Sequence, residues 1–396
     1  MKLRAVDLFA GCGGLATGMQ WAGIRTRWAN EIDADACETF RRNHNGVAVF
    51  NQSISDFLVG IKESCPGYPQ KGDVDLLAGG PPCQGFCQIN RHRALTDPRN
   101  SLVELYVRAV ELLQPRAVLL ENVTGMLTLG GGRAVKVVVN ALERLRYTVS
   151  LVVVQAGSFG LPQNRWRIFI VGVDRTCSHF EIPKPTHAFH RTSFIGMGKW
   201  RKHVVGWSDA DLLQKMEPAV SVNDAISDLP LLTAATMRDG MRYRTGPSSA
   251  YQKFLRGNLS KVVNDHICAN VESLTLKRIR AIPQGGGWLD LPKPLQPGNL
   301  ARFVNTAGTF SSRYGRLSWK GTFATIVTKP EPYWGRYIHP EADRLLSVRE
   351  CARAQSFPDL FAFSGSVSSR YRQIGNAVPP LLAKCLGAPI RRSLGK

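Results

Sequence analysis

From the N-terminus to about residue 175, short apolar runs rich in β-branched residues alternate with stretches of helical periodicity. The runs occupy 4–10, 27–32, 74–78, 117–123, 148–155 and 167–173, and such alternation predicts an α/β fold of βα units around a parallel sheet. Between 102 and 113, Leu102, Leu105, Tyr106, Ala109, Leu112 and Leu113 recur on one helical face before Pro115. That spacing predicts a crossover helix packed on the sheet. From 176 to about 343 the periodicity dissolves into Pro, Gly and Ser interruptions with isolated aromatics, as in a loop-rich second domain with short strands. Helical pattern returns at 344. Ser347 and Glu350 have capping-box spacing for a helix over 348–357 stopped by Pro358, and Pro379-Pro380 can open a last helix. Three segments are therefore expected: a first domain over 1–175, a second over 176–343, and a segment over 344–396 that returns to the first.

The length of 396 residues suits one large domain with a smaller companion. Charge narrows the class of partner. Lys and Arg number 51 against 30 Asp and Glu, a net +21 that favours nucleic acid, with an anionic membrane surface second. The segment 175–343 carries 23 basic and 13 acidic residues and the rest carries 28 and 17, so the excess is shared by both parts and suits a cleft better than a basic tail. No run of 18 apolar residues occurs, and Met1-Lys2-Leu3-Arg4 leads directly to Asp7 and a Gly-rich turn, which argues against a membrane span or a secretory signal. Nine scattered cysteines, odd in number and without a CxxC pair, fit a reducing compartment. No metal-ligand spacing is present, so no metal is expected.

Three places carry candidate chemistry. After the first apolar run, Phe9, Gly11, Cys12, Gly13 and Gly14 form a glycine-rich strand-to-helix turn, and Glu31 ends the second run. Glycines let a backbone approach a ligand and an acid can accept from ribose hydroxyls. The spacing lacks the third glycine of a dinucleotide site, so a single nucleoside fits better. A mere tight turn is the plain alternative. Next, Gly79-Gly80-Pro81-Pro82-Cys83-Gln84-Gly85-Phe86 follows a buried run and sets Cys83 at a sheet mouth, where a thiolate can act as nucleophile or a cysteine can be inertly buried. Finally, Glu121 closes an apolar run, and Arg165 and Arg167 are spaced to place two guanidinium groups on one sheet edge. A salt-bridged glutamate and solvated arginines are the corresponding alternatives.

In order along the chain, these residues resemble the motifs of the cytosine-C5 DNA methyltransferase family. Phe9 to Gly14 is similar to its cofactor loop, Glu31 to its ribose acid, Pro82-Cys83-Gln84 to its nucleophile loop, and Glu121-Asn122-Val123 to its base-recognition motif. Gln163-x-Arg165-x-Arg167 resembles its arginine motif and Gly375-Asn376-Ala377-Val378 its closing motif. Stretches at His266-Ile267-Cys268, 314–319 and 328–332 are further similar to the catalytic half of eukaryotic maintenance-type enzymes, whose regulatory regions this chain is expected to lack. The resemblance implies a Rossmann-like S-adenosylmethionine domain with an inserted target-recognition domain. It further implies double-stranded DNA as substrate, extrusion of the target base, and an epigenetic role in the nucleus, or in the cytoplasm of a bacterium. Cys83 would attack C6 of cytosine, Glu121 would bond N3 and the N4 amino group, Arg167 would hold O2, and Arg165 would support the loop or phosphates. Ile32, Ser53, Ile54, Pro82, Leu102, Asn376 and Val378 would join the glycine loop around the cofactor. Gln84, Cys87, Arg302 and Arg313 would meet DNA, the last two as guanine readers.

Three departures from the family pattern stand out. Ser53 occupies the place of an acid that meets the adenine amino group, Asp56 lies three residues late, and Cys87 replaces a serine that would donate to a phosphate. Recognition-domain cysteines are not clustered as in zinc-bearing relatives. Rival readings are a transfer-RNA cytosine methyltransferase, against which the long insert argues, and a silent scaffold, which would not need Cys83, Glu121, Arg165 and Arg167.

Overall fold

A computed structural model describes residues 3–82, 101–189, 198–205, 216–233, 239–257, 261–301 and 312–395. The chain divides into two compact units. The first comprises 1–160, 166–218 and 377–396, the second 161–165 and 219–376. The segment 176–218 therefore groups with the first unit and 344–376 with the second.

The first unit is built on a seven-stranded sheet: β1 (Leu3–Leu8), β2 (Ile24–Glu31), β3 (Ala48–Asn51), β4 (Leu76–Gly79), β5 (Ala117–Val123), β6 (Tyr147–Gln155) and β7 (Trp166–Asp174). Their order is β3-β2-β1-β4-β5-β7-β6. Helices α1 (Gly14–Trp21), α2 (Ala34–Asn43), α3 (Ile54–Lys62), α4 (Ser101–Leu113), α5 (Gly125–Thr128) and α6 (Arg133–Arg144) connect the strands as far as β6. The α/β expectation holds, with one correction to the wholly parallel sheet: β7 runs antiparallel to both β5 and β6. The link from β6 to β7 holds only a single 3-10 turn at Ala156–Phe159, too little for the crossover that parallel strands require.

Strand order reverses between β1 and β4, so the turn after β1 and the segment after β4 open side by side at the carboxyl edge, where open α/β sheets bind ligands. Below that edge, Ile54, Phe57 and Ile61 of α3, Tyr106, Val110 and Leu113 of α4, and Val135, Val138 and Leu142 of α6 pack with the strand residues Val6, Leu77, Val118 and Ile170. The final helix, α13 (Pro380–Ser393), lies against α1: a Cβ on Gly18 would meet the Pro380 carbonyl oxygen at 2.2 Å. No helix among the described residues is long and apolar enough to cross a membrane.

In the second unit lie α7 (Val222–Ile226), α8 (Ala250–Arg256), α9 (Ser273–Ala281), α10 (Gly298–Ala301), α11 (Val348–Ala354) and α12 (Val367–Asn376). Ser347 and Glu350 make the expected capping box of α11. The helix ends three residues sooner than its pattern suggested. Ser356 turns left-handed at φ 63, the Phe357 amide donates back to Ala352, and the Ser356 amide donates to Arg353, a Schellman stop ahead of Pro358. The arginines of α11 are fully buried: Arg353 pairs with Asp228 and Asp359, and Arg349 with Asp265. Arg344 pairs with Glu350 at 2.7 Å. A buried guanidinium needs such partners to offset its lost hydration.

Candidate active site

The turn after β1 is shaped by backbone that few side chains tolerate. Phe9 and Gly11 sit at φ 54 and Gly13 at φ 95. Gly13 has no room for a side chain, because a Cβ would lie 2.5 Å from His44 Nε2. Gly11 is different, for a Cβ there would meet open space, as expected where a ligand approaches. Glu31 holds the turn from the end of β2: its carboxylate accepts the amides of Gly11 at 2.8 Å, Ile32 at 2.8 Å and Asp33 at 2.9 Å. Three of about four acceptor positions are thereby filled, leaving one for a ligand hydroxyl. Ile32 beside it is 72% exposed, whereas Ile54 at the start of α3 is buried. Glycine backbone, an acid and an exposed aliphatic side chain together fit a nucleoside.

Other expected cofactor residues belong to this same unit. Cys12 and Gly14 are buried under the turn, and burial pushes the Cys12 thiol up to about 12, so it is no nucleophile. Phe9 and Leu102 are half-buried, Pro82 is exposed and Val378 is buried. Asn376, exposed at the end of α12, falls in the second unit. Ser53 caps α3, its hydroxyl accepting the Asp56 amide at 3.1 Å and donating to Asp56 Oδ2 at 2.6 Å. His44 was missed by sequence reasoning. Its ring contacts the Gly13 carbonyl oxygen at 3.2 Å and Thr17 Oγ1 at 3.3 Å, and burial lowers it to about 4.

Across the switch point, β5 delivers Glu121 beside Gly80, where a Cβ would come within 3.1 Å of Glu121 Oε2. On the antiparallel neighbour β7, Arg167 faces Val123 in register and reaches across to Glu121, Nε to Oε1 at 2.8 Å. Both side chains keep about a tenth of their surface open. The next residue carries a function that sequence reasoning did not assign. Asn122 is buried, and its amide donates to the Pro81 carbonyl at 3.1 Å while its Oδ1 accepts the Val123 amide at 2.9 Å. It fixes the backbone two residues ahead of Cys83. Cys83 itself, with Gln84 and Cys87, lies outside the described residues.

The two arginines have different partners. Arg165 is wholly buried in the second unit, donating to the carbonyls of Ile326 at 3.1 Å and Gly375 at 3.2 Å. In that place it ties two chain segments together, and its burial leaves no surface to offer a phosphate. Arg302 lies outside the described residues. Arg313 is half-buried, with its guanidinium 4.2 Å from the centre of the Tyr333 ring and 5.4 Å from that of Trp334.

Solved structures share this architecture. A prophage-encoded E. coli protein described as a candidate DNA modification methyltransferase superposes with a TM-score of 0.70 at 24% identity, covering all of both chains. The Dnmt2 methyltransferase of S. pombe gives 0.53 at 15%, covering all of this chain and 99% of its own. Sequence relatives are nearer. The DNA (cytosine-5)-methyltransferase PliMCI of Paracentrotus lividus is 34% identical over 98% of this chain, and DNA (cytosine-5)-methyltransferase 1 of Mus musculus is 33% identical over 99%. This chain spans 28% of the length of each. Residues 3–392, nearly the whole chain, match one family, and the protein belongs to it: the C-5 cytosine-specific DNA methylases.

Proposed function

We propose that this chain transfers a methyl group from S-adenosylmethionine to C5 of a cytosine extruded from double-stranded DNA, with Cys83 as the covalent nucleophile. One observation carries the reading. Glu121 and Arg167 meet at 2.8 Å at the carboxyl edge of the sheet, while Asn122 anchors the Pro81 carbonyl, so an acid, a cation and the approach to Cys83 share one end of β5.

S-adenosylmethionine, when bound, supplies an electrophilic methyl group. The chain's own residues would hold it: the backbone of the Gly11 turn would approach it, the remaining acceptor position of Glu31 would take a ribose hydroxyl, and Ile32 would lie against the adenine with the backbone at Ile54 at its edge. Cytosine C5 is a weak nucleophile. Addition of the Cys83 thiolate to C6 forms a C–S bond and moves the ring's π electrons toward C5 and N3. Glu121 accepts from the N4 amino group with one oxygen and, in its protonated form, donates its proton to N3 with the other as charge develops there, and Arg167 holds O2 while keeping the Glu121 side chain in one orientation. After C5 has gained the methyl group, its proton passes to solvent, the C–H electron pair re-forms the C5–C6 double bond as the C6–S bond breaks and the Cys83 thiolate leaves, and N3 returns its proton to Glu121. Arg165 is a positioning residue, because its contacts are protein carbonyls.

None of these atoms is reachable in a stacked pair, so the base leaves the helix at about a few kcal/mol. The basic residues over 176–343 would offset this through phosphate contacts, and that stretch is proposed as the target-recognition domain. The activity would operate in a DNA-containing compartment. Bisulfite sequencing of a random-sequence duplex incubated with the chain and S-adenosylmethionine tests the reading. Converted-resistant cytosines in a defined context are expected. Unmodified DNA, with methyl label appearing in transfer RNA, would overturn it.

A further inference from the structure

We infer that a cavity in the second unit, walled by Tyr314, Tyr333 and Tyr371 and rimmed by Lys329 and Arg372, takes a second unstacked nucleotide of the bound DNA, apart from the target cytosine. The inference rests on the DNA reading above and adds to it a base site that the chemistry at Cys83 does not use.

The cavity measures about 580 Å³, a size suited to a small organic group, and all its lining residues fall between 269 and 372, inside the second unit. Its wall is built before any ligand arrives. Pro330 and Pro332 stiffen the chain there, the Tyr314 amide donates to the Pro332 carbonyl at 2.6 Å, and the Trp334 amide donates to that of Glu331 at 3.0 Å. Tyr314 and Tyr333 stand edge to face, their ring centres 6.4 Å apart at 89°. A flat ring stacked on one therefore presents its edge to the other, an arrangement that aromatic quadrupoles favour. Two of the polar tips are turned to the protein. The Tyr371 hydroxyl donates to the Leu346 carbonyl at 2.7 Å, and the Tyr314 hydroxyl accepts from Arg278 at 3.3 Å. What these two residues offer the cavity is ring surface.

Charge selects the occupant. The second unit carries 22 basic residues against 11 acidic ones, and on the rim both Lys329 and Arg372 are exposed, where they can meet a phosphate. Arg313 packs on Tyr333 at 4.2 Å and Arg278 on Tyr314 at 5.5 Å, so both rings already belong to aromatic–guanidinium stacks of the kind that hold unpaired bases. Glu272 lines the same cavity and does not cap α9, the helix it precedes, so its carboxylate can accept from the amino edge of a base. Ring walls for the base, an acid for its amino edge and cations for its phosphate together describe a nucleotide site.

Competition binding reads this without turnover, using the full chain with S-adenosylhomocysteine and duplexes mispaired at one position at a time. Mispairing makes a base cheaper to extrude, so affinity should rise on the order of tenfold at the target cytosine and again at one further position. Tyr333→Ala should abolish the second rise and keep the first. Arg372→Ala, at an exposed site, should reduce the second rise by itself, because the rim cation meets that phosphate only when the nucleotide is seated. A rise at the target alone would overturn the inference without touching the DNA reading, and so would a second rise that both variants retain. If Tyr333→Ala bound no duplex, Arg372→Ala decides alone: a second rise reduced while the first stays supports the site, and an undiminished one overturns it. If wild type bound no duplex, the DNA reading would fall and this inference with it.

Discussion

Arg167 fixes the orientation of the Glu121 carboxyl group from the neighbouring antiparallel strand at 2.8 Å, which the proposed recognition of a neutral base requires. Lysine at this position would keep the charge but lose the planar Nε donor. Arg167→Lys should therefore lower kcat on the order of a hundredfold while leaving S-adenosylhomocysteine affinity near wild type. Steady-state kinetics with calorimetry check this, and a variant whose loss lay in cofactor binding would contradict it. Glu121 was legible in the sequence because an acid at the end of an apolar run is conspicuous. Asn122 was not, since its function is a hydrogen bond to Pro81, 41 residues away, and nothing local announces it. Ser53 shows the same limit. Its spacing to Asp56 signals a helix cap, yet the consequence that the cap uses the hydroxyl appears only in the hydrogen bonds. Arg165 and Arg167 share a motif and point to different partners, which alternate spacing alone does not reveal.

Among the elements, those with apolar periodicity were readable and their direction was not. The run 167–173 matches β7 almost residue for residue, but an apolar run reads alike in either sense along a sheet. The capping box of α11 was visible because it is a local contact. The polar helix α12 was not anticipated, since few apolar positions mark its buried face. Packing of α13 on α1 depends on Gly18, which a sequence presents only as a residue unfavourable in a helix. Gly18→Ala would gain about 1 kcal/mol in helix propensity. The new methyl would meet the backbone oxygen of Pro380, which cannot rotate away, and such overpacking costs about 1 to 3 kcal/mol. Gly18→Ala should thus lower Tm by several degrees in thermal unfolding of the full chain. A raised Tm would mean that the two helices are not in tight contact.

On the scale of the whole molecule, acid should weaken this protein before its carboxylates titrate. Burial lowers both His44 and His339 to about 4 in the folded chain, whereas an unfolded histidine titrates near 6.5. Above that range neither state carries the proton. As pH falls from about 6.5 towards 4, the unfolded chain binds protons that the folded chain refuses, and stability drops by at most roughly 3 kcal/mol per histidine. Tm should therefore decline steadily across this window, and His44→Gln should flatten the decline. Identical slopes in variant and wild type would show that His44 is not held neutral beneath the Gly13 turn. The net charge of +21 predicts a second condition-dependent property, a DNA affinity that falls steeply with salt. The central claim is that Cys83 attacks a cytosine, and a duplex with 5-fluorocytosine at the target tests it most directly, because fluorine replaces the proton whose loss would free the enzyme. With S-adenosylmethionine, wild type should form a protein–DNA species that survives denaturing electrophoresis, with the linkage mapped by mass spectrometry to Cys83, and Cys83→Ser should form none. A covalent species of equal yield in Cys83→Ser, or none in a wild type that methylates the ordinary duplex, would contradict the account.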